Sequence, residues 1–143
     1  MGLFSSDKKH TDIQTRQHLA DKFDFKDFYW WPLNGVSKPT DTECFSDESF
    51  CEKLGLPNLV QTIKEMGENQ LHKINEIHED EIIKTEDIWS YDGIEVVYCN
   101  DNADWLIYFS HEHTVTVSGK KLIDALKKNW PEFETSKATE WYY

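Results

Sequence analysis

A His-Glu-His triplet at residues 111–113 contains the side chains of this chain that are best suited to metal coordination. Alternate side chains of an extended segment point to the same face, so two imidazoles could bind one ion. A third ligand would have to come from an acidic residue or from Cys99, His72 or His78, and none has a diagnostic spacing. A turn at the triplet would make these side chains ordinary solvated residues. We therefore expect no metal and no cofactor, and keep a small metal-binding or enzymatic domain that uses His111 and His113 as an alternative function.

Other catalytic chemistries lack a supporting pattern. The three cysteines, Cys44, Cys51 and Cys99, have no CxxC spacing and are expected to be reduced thiols. A Cys99–His111 contact is conceivable, but acidic neighbours raise the pKa of a thiol and suppress its reactivity. Glycosidase sites combine paired carboxylates with aromatic side chains, and this chain contains both. Its composition supports a glycosidase site no better than it supports a plain acidic surface. The glycines are scattered, so no phosphate-binding loop is indicated. We expect that the protein is not an enzyme.

Residues 76–104, which we call the acidic block, hold most of the charge of the chain. This segment has ten acidic residues and one basic residue, a net charge of −9 within a total of −12. An acidic surface attracts basic proteins and repels nucleic acid and anionic membranes. A solvated face that confers solubility is the simpler interpretation. The concentration of charge in one segment, with Trp89 and Tyr91 inside it, favours a docking surface for a basic protein.

Helical signals occur in the first half of the chain and near its end. Thr11 to Phe23 has the periodicity of an amphipathic helix. Ser46 is a favourable N-cap for a helix that Gly55 closes, and Pro57 opens a second helix that ends at Gly67. Ser118 is expected to cap a last helix through Asn129, whose buried face would contain Leu122, Ile123, Leu126 and Trp130.

Strand signals are strongest after Gly93. Ile94–Cys99 and Asp104–Ser110 are joined by a loop of hairpin composition, and Thr114–Val117 alternates as a third strand. The second of these strands is apolar on both faces, so we expect it to be central and covered on both sides. The aromatic segment Phe23–Leu33 contains the run Phe28–Trp31, which is interpreted as an extended segment or a short strand, and residues Phe23–Trp31 are expected to lie mostly in the core. Residues 71–78 fit either a strand or a helix.

These elements predict an α+β fold, with N-terminal helices, an antiparallel β-meander and a C-terminal helix packed on the sheet. The length fits a single domain over residues 11–143, preceded by a flexible tail at residues 1–10. No run of about 18 apolar residues occurs. The first residues lack the apolar core of a signal peptide, so we expect a cytoplasmic location.

The chain resembles one class of bacterial proteins in several features. These are its size, its charge, the leader MGLFS before the first helix, and the run Asp104–Gly119 that leads into the last helix. In these features the chain is similar to the small acidic immunity proteins of polymorphic-toxin and contact-dependent growth inhibition systems. The resemblance implies an inhibitor that binds a basic toxin domain, such as a nuclease, and performs no chemistry. A generic adaptor domain is a further alternative. The expected docking residues are Glu79, Asp80, Glu81, Glu86, Asp87, Asp101 and Asp104, with Trp89 and Tyr91 as anchors.

Overall fold

Six strands form one antiparallel sheet in the computed structural model, which describes residues 14–26, 28, 30–33, 37–88 and 95–138. The predicted tail at residues 1–10 and the predicted anchors Trp89 and Tyr91 lie outside the described residues. The sheet has the order β1-β6-β5-β4-β2-β3. Its strands are β1 (Thr42–Ser46), β2 (Gln70–Asn75), β3 (Glu81–Lys84), β4 (Val96–Cys99), β5 (Leu106–Phe109) and β6 (Thr114–Ser118). The predicted meander is confirmed as β4, β5 and β6.

Helices precede and follow the sheet. They are α1 (residues 14–23), α2 (Asp47–Ser49), which continues into a π-helical turn (Phe50–Leu54), α3 (Leu56–Glu65), α4 (Lys120–Asn129) and α5 (Phe133–Ser136). The N-cap at Ser46 is confirmed, because its hydroxyl accepts a hydrogen bond from the Ser49 backbone N–H at 3.1 Å. Gly55 ends the π-helical turn with a φ of +86°, a conformation that favours glycine.

Both faces of the sheet are covered, as expected for a central strand that is apolar on both sides. Ile107 and Phe109 of β5 belong to one core cluster, which includes residues of α3, α4 and α5. Leu106 and Tyr108 belong to a second cluster, which includes Leu19 of α1 and the aromatic segment. The strands therefore lie between two layers, and the α+β class with a C-terminal helix packed on the sheet is confirmed.

The structure differs from the sequence predictions at the aromatic segment and at the two edge strands, and it decides between the two alternatives for residues 71–78. The described part of the aromatic segment forms no strand, although Phe25, Trp30 and Trp31 are buried as expected. Residues 71–78, which fitted either a strand or a helix, include β2. The edge strands β1 and β3 were not predicted.

The expected cap at Ser118 is wrong. The Ser118 hydroxyl lies 2.6 Å from the Thr42 hydroxyl on β1 and caps nothing. Gly119 occupies the N-cap position with a φ of +111°. A Cβ atom there would lie 2.6 Å from the Asp104 carbonyl oxygen, so the chain passes too closely for any other residue.

Candidate functional site

Strand β3 lies at one edge of the sheet, and no strand among the described residues pairs with its outer side. The Thr85 N–H donates to the Asn69 carbonyl at 3.0 Å, which fixes the hydrogen-bonding pattern of the β2–β3 ladder. Hydrogen-bonded and non-hydrogen-bonded pairs alternate in an antiparallel ladder. Ile83 therefore directs its backbone groups toward β2, whereas Ile82 and Lys84 direct theirs away from the sheet.

Two isoleucine side chains are exposed at this edge. Ile77, in the loop between β2 and β3, is 70% exposed, and Ile82 of β3 is 42% exposed. They are the large hydrophobic residues with exposed side chains in the described part of the chain, and both lie within the acidic block. Large apolar side chains that stay exposed among charged residues are one feature of interaction sites.

Five exposed acidic residues surround these isoleucines, and we call residues 76–87 the acidic edge. Glu76, Glu79 and Glu81 lie near the start of β3, whereas Glu86 and Asp87 follow its end in a 3-10 turn. The Lys64 ammonium lies 2.9 Å from the Glu86 carboxylate, and this hydrogen bond lowers the pKa of Glu86. The other four carboxylates form no ion pair with a described residue. Carboxylates thus lie at both ends of an exposed strand, and Lys84 and Lys64 offset part of the negative charge at its C-terminal end.

Asp80 has a structural role, which corrects its placement among the docking residues. It is 7% exposed, and Arg16 of α1 binds both of its carboxylate oxygens, at 2.6 and 2.8 Å. The Asn75 N–H also donates to Asp80 at 3.0 Å. Arg16 further donates to the Asn75 carbonyl at 3.0 Å, so these contacts tie α1 to the β2–β3 hairpin. The sequence does not reveal this role, because Arg16 lies far away along the chain.

Asp101 and Asp104 lie in the loop between β4 and β5. The Asp101 carboxylate lies 2.8 Å from Nε2 of the buried His72, and 90% of its side chain is exposed. His72 pairs with Ile82 across β2 and β3, so this loop borders the acidic edge. Asp104 accepts a hydrogen bond from the Asn100 side-chain amide at 3.1 Å and lies 3.6 Å from the Lys22 ammonium. Asp101 contacts His72 and is nevertheless accessible to a partner, whereas Asp104 is less exposed and engaged by two neighbours.

A cleft of about 500 Å³ adjoins this loop. Asp104, Trp105 and Lys121 are among its lining residues, together with Met66, Glu68, Asn100, Asn102 and Asp124. Asp124 lies 2.8 Å from the Lys120 ammonium, and Asp104 has the contacts described above. Two of the three carboxylates that line the cleft, those of Asp104 and Asp124, are therefore already paired, and the cleft is a weaker candidate than the acidic edge.

The two histidines of the His-Glu-His triplet do not converge on one point. The Nδ1 atom of His111 bonds to the carboxylate of the buried Glu95, whereas Nδ1 of His113 lies 3.2 Å from Asp47. The triplet forms a turn, and His113 has a φ of +63°, so the alternation of an extended segment is absent. No group of three potential metal ligands occurs among the residues that the structure describes.

Glu95 organises a buried polar network that the sequence analysis did not identify. The carboxylate accepts hydrogen bonds from the Tyr108 hydroxyl at 2.5 Å and from the His111 N–H at 3.1 Å. The hydrogen bond that the His111 ring donates to the Glu95 carboxylate raises the pKa of His111. This network anchors the β5–β6 turn to the start of β4 and explains why a carboxylate is buried there.

The buried cysteines are poorly suited to nucleophilic chemistry. Burial raises the pKa of Cys44 to about 12. Burial also raises the pKa of Cys99, and the charge of Asp101 raises it further. Both thiols are therefore protonated at neutral pH, which removes the reactive thiolate.

No protein-family model matches the chain, and no curated protein or solved structure matches it either. No helix in the described part is long and apolar enough to cross a membrane.

Proposed function

We propose that the protein is an acidic protein-binding inhibitor of the toxin-immunity type, which neutralises a basic toxin domain, such as a nuclease, by binding it directly. One observation carries the proposal: Ile77 in the β2–β3 loop and Ile82 on the open edge strand are exposed among five carboxylates, four of which form no ion pair with a described residue. A face that serves solubility alone needs the charges but gains nothing from the exposed apolar side chains.

Binding at the acidic edge has two physical components. The carboxylates attract a positively charged partner over long distances and increase the rate of encounter. Burial of Ile77 and Ile82 then stabilises the complex once water has left the contact. Direct binding of nucleic acid is disfavoured, because neutralising phosphates requires a basic surface. Such an inhibitor would act in the cytoplasm, where an incoming toxin meets its target.

The test is a titration of the protein with the product of the gene adjacent to its own. The toxin would be used in a catalytically inactive form, and association and dissociation rates would be measured at about 50 and about 300 mM NaCl, where screening differs strongly. We expect a stoichiometric complex whose affinity falls about tenfold at the higher salt, mainly through slower association. Absence of binding, or an affinity that salt does not change, would contradict the proposal.

A further inference from the structure

We infer that the partner contributes an extended basic strand, which pairs with β3 as a seventh strand of the sheet. The inference rests on the proposed function for the location of the contact, and it adds the conformation and chemistry of the segment that binds. Its basis is the backbone of β3 rather than the carboxylates around it.

The outward backbone groups of β3 have the spacing that a new strand requires. Ile82 and Lys84 direct their N–H and C=O groups away from the sheet, because Ile83 and Thr85 use theirs to bond β2 and Asn69. Two residues of a strand span about 6.8 Å, which is the repeat of an antiparallel ladder. Addition of a strand to a free edge satisfies such groups in several classes of peptide complex.

The side chains around this edge select a basic segment with apolar residues. Ile82 projects on the same face as His72 of β2, and it supplies an apolar contact at the middle of β3. Glu79 and Glu81 lie before this point, and Glu86 and Asp87 lie after it. A strand whose Lys or Arg residues alternate with aliphatic residues would place positive charge near both acidic ends.

A second copy of this chain is a poor occupant. Antiparallel pairing of two β3 strands would bring the acidic residues at their ends close together, and this repulsion opposes association. The opposite edge of the sheet does not offer an equivalent site, because the Ala138 N–H already donates to the Cys44 carbonyl of β1 at 2.8 Å.

The experiment removes one outward donor from β3 without disturbing the fold. Lys84 has a φ of −73°, which proline adopts readily, and its N–H does not bond β2. Lys84→Pro therefore deletes a donor for the added strand, and Lys84→Ala is the matched control that removes the same charge and keeps the N–H. The probe is a capped peptide of alternating Lys and Val, about seven residues long to match a typical strand.

We expect the peptide to bind Lys84→Pro about three- to tenfold more weakly than Lys84→Ala, which corresponds to one hydrogen bond. In the unsubstituted protein, the peptide should slow amide hydrogen exchange at Ile82 and Lys84 but leave Ile83 nearly unchanged. The exchange measurement does not depend on the folding of any variant. Equal peptide affinities of the two variants, unchanged exchange at Ile82 and Lys84, or no peptide binding would overturn the inference.

The same variants separate this inference from the proposed function. If the adjacent gene product binds Lys84→Pro and Lys84→Ala equally well, the inhibitor proposal stands and strand addition fails. If the peptide shows the expected pattern but the gene product does not bind, β3 accepts basic strands and the proposed partner is wrong.

Discussion

The two edges of the sheet differ in how far the rest of the described chain covers them. At β1, Phe45 bridges to Lys137, the Ala138 N–H bonds the Cys44 carbonyl, and Glu43 lies 2.9 Å from Lys38 and 3.1 Å from Lys137. At β3, no strand among the described residues pairs with the outer side, and Ile82 is 42% exposed. Natural sheets protect exposed edges with charge or with covering segments, since open edges pair with other chains. One edge is therefore closed internally, whereas the other combines charge with an exposed isoleucine, as the proposed docking surface requires.

The largest expected contrast concerns stability. Phe45 of β1 is fully buried and contacts Trp130 and Phe133, with ring centroids at 5.0 and 5.2 Å. Phe45→Ala should lower the free energy of unfolding by about 3–5 kcal/mol through lost contacts and a cavity. Ile82→Ala should change it by less than about 0.5 kcal/mol, because that side chain is substantially exposed. Urea denaturation of both variants measures the contrast, and a large loss of stability in Ile82→Ala would show that this edge is part of the core.

A smaller contrast between the two edges concerns how the stability of their ion pairs depends on pH. At the β1 edge, burial opposes the charge of Lys137, but hydrogen bonds to Glu134 and Glu43 raise its pKa overall, so its ion pairs persist at neutral pH. Next to the acidic edge, the hydrogen bond that His111 donates to the Glu95 carboxylate raises the pKa of His111 above the ordinary value of 6.5. A raised pKa in the folded state contributes stability that is complete below pH 6.5 and is lost as pH rises through the folded-state pKa.

We therefore expect stability to decline slightly as pH rises above 6.5, by under about 1 kcal/mol because His111 is half exposed. The variant His111→Gln should lack this part of the decline, since glutamine does not titrate. Denaturation of both proteins at several pH values checks the prediction. A decline of the same size in His111→Gln would assign it to other groups.

The helices and the meander were predictable because each has its own local signals. Ser46 begins one helix by capping it, and Gly55 ends the π-helical turn that follows. Residues 105–109 are apolar on both faces, and this predicted a central strand without knowledge of its neighbours. These signals depend on a few consecutive residues, so sequence alone reveals them.

The edge strands were not predictable in the same way. β1 has its two most apolar residues, Cys44 and Phe45, side by side, and β3 has only four residues with Ile82 next to Ile83. Neither alternates as a half-buried strand does. Both form because a neighbouring strand, β6 for β1 and β2 for β3, offers a row of backbone partners.

The concentration of acidic residues in one segment is visible in the sequence, but the contacts and exposure of each acidic residue could not be predicted from it. Nothing in the sequence distinguishes Asp80 from Asp87 as a docking residue. In the structure, Arg16, 64 residues away in α1, binds Asp80, whereas Asp87 is exposed. Tertiary contacts decide which carboxylates remain available. The exposure of Ile77 and Ile82 was also missed, because an aliphatic residue in a sequence is expected to be buried.

The central claim is that the acidic edge, rather than the overall negative charge, binds the partner. The most direct test compares Glu81→Lys/Asp87→Lys at the acidic edge with Glu48→Lys/Glu52→Lys on the helical segment beside β1. All four residues are exposed, and both double variants change the net charge by the same amount. Affinity for the product of the adjacent gene would be measured at about 50 mM NaCl, where screening is weak.

We predict that the variant at the acidic edge binds at least about tenfold more weakly than the variant beside β1, which should stay within about threefold of the unsubstituted protein. Equal weakening of both variants would contradict the account, because binding would then depend on net charge alone.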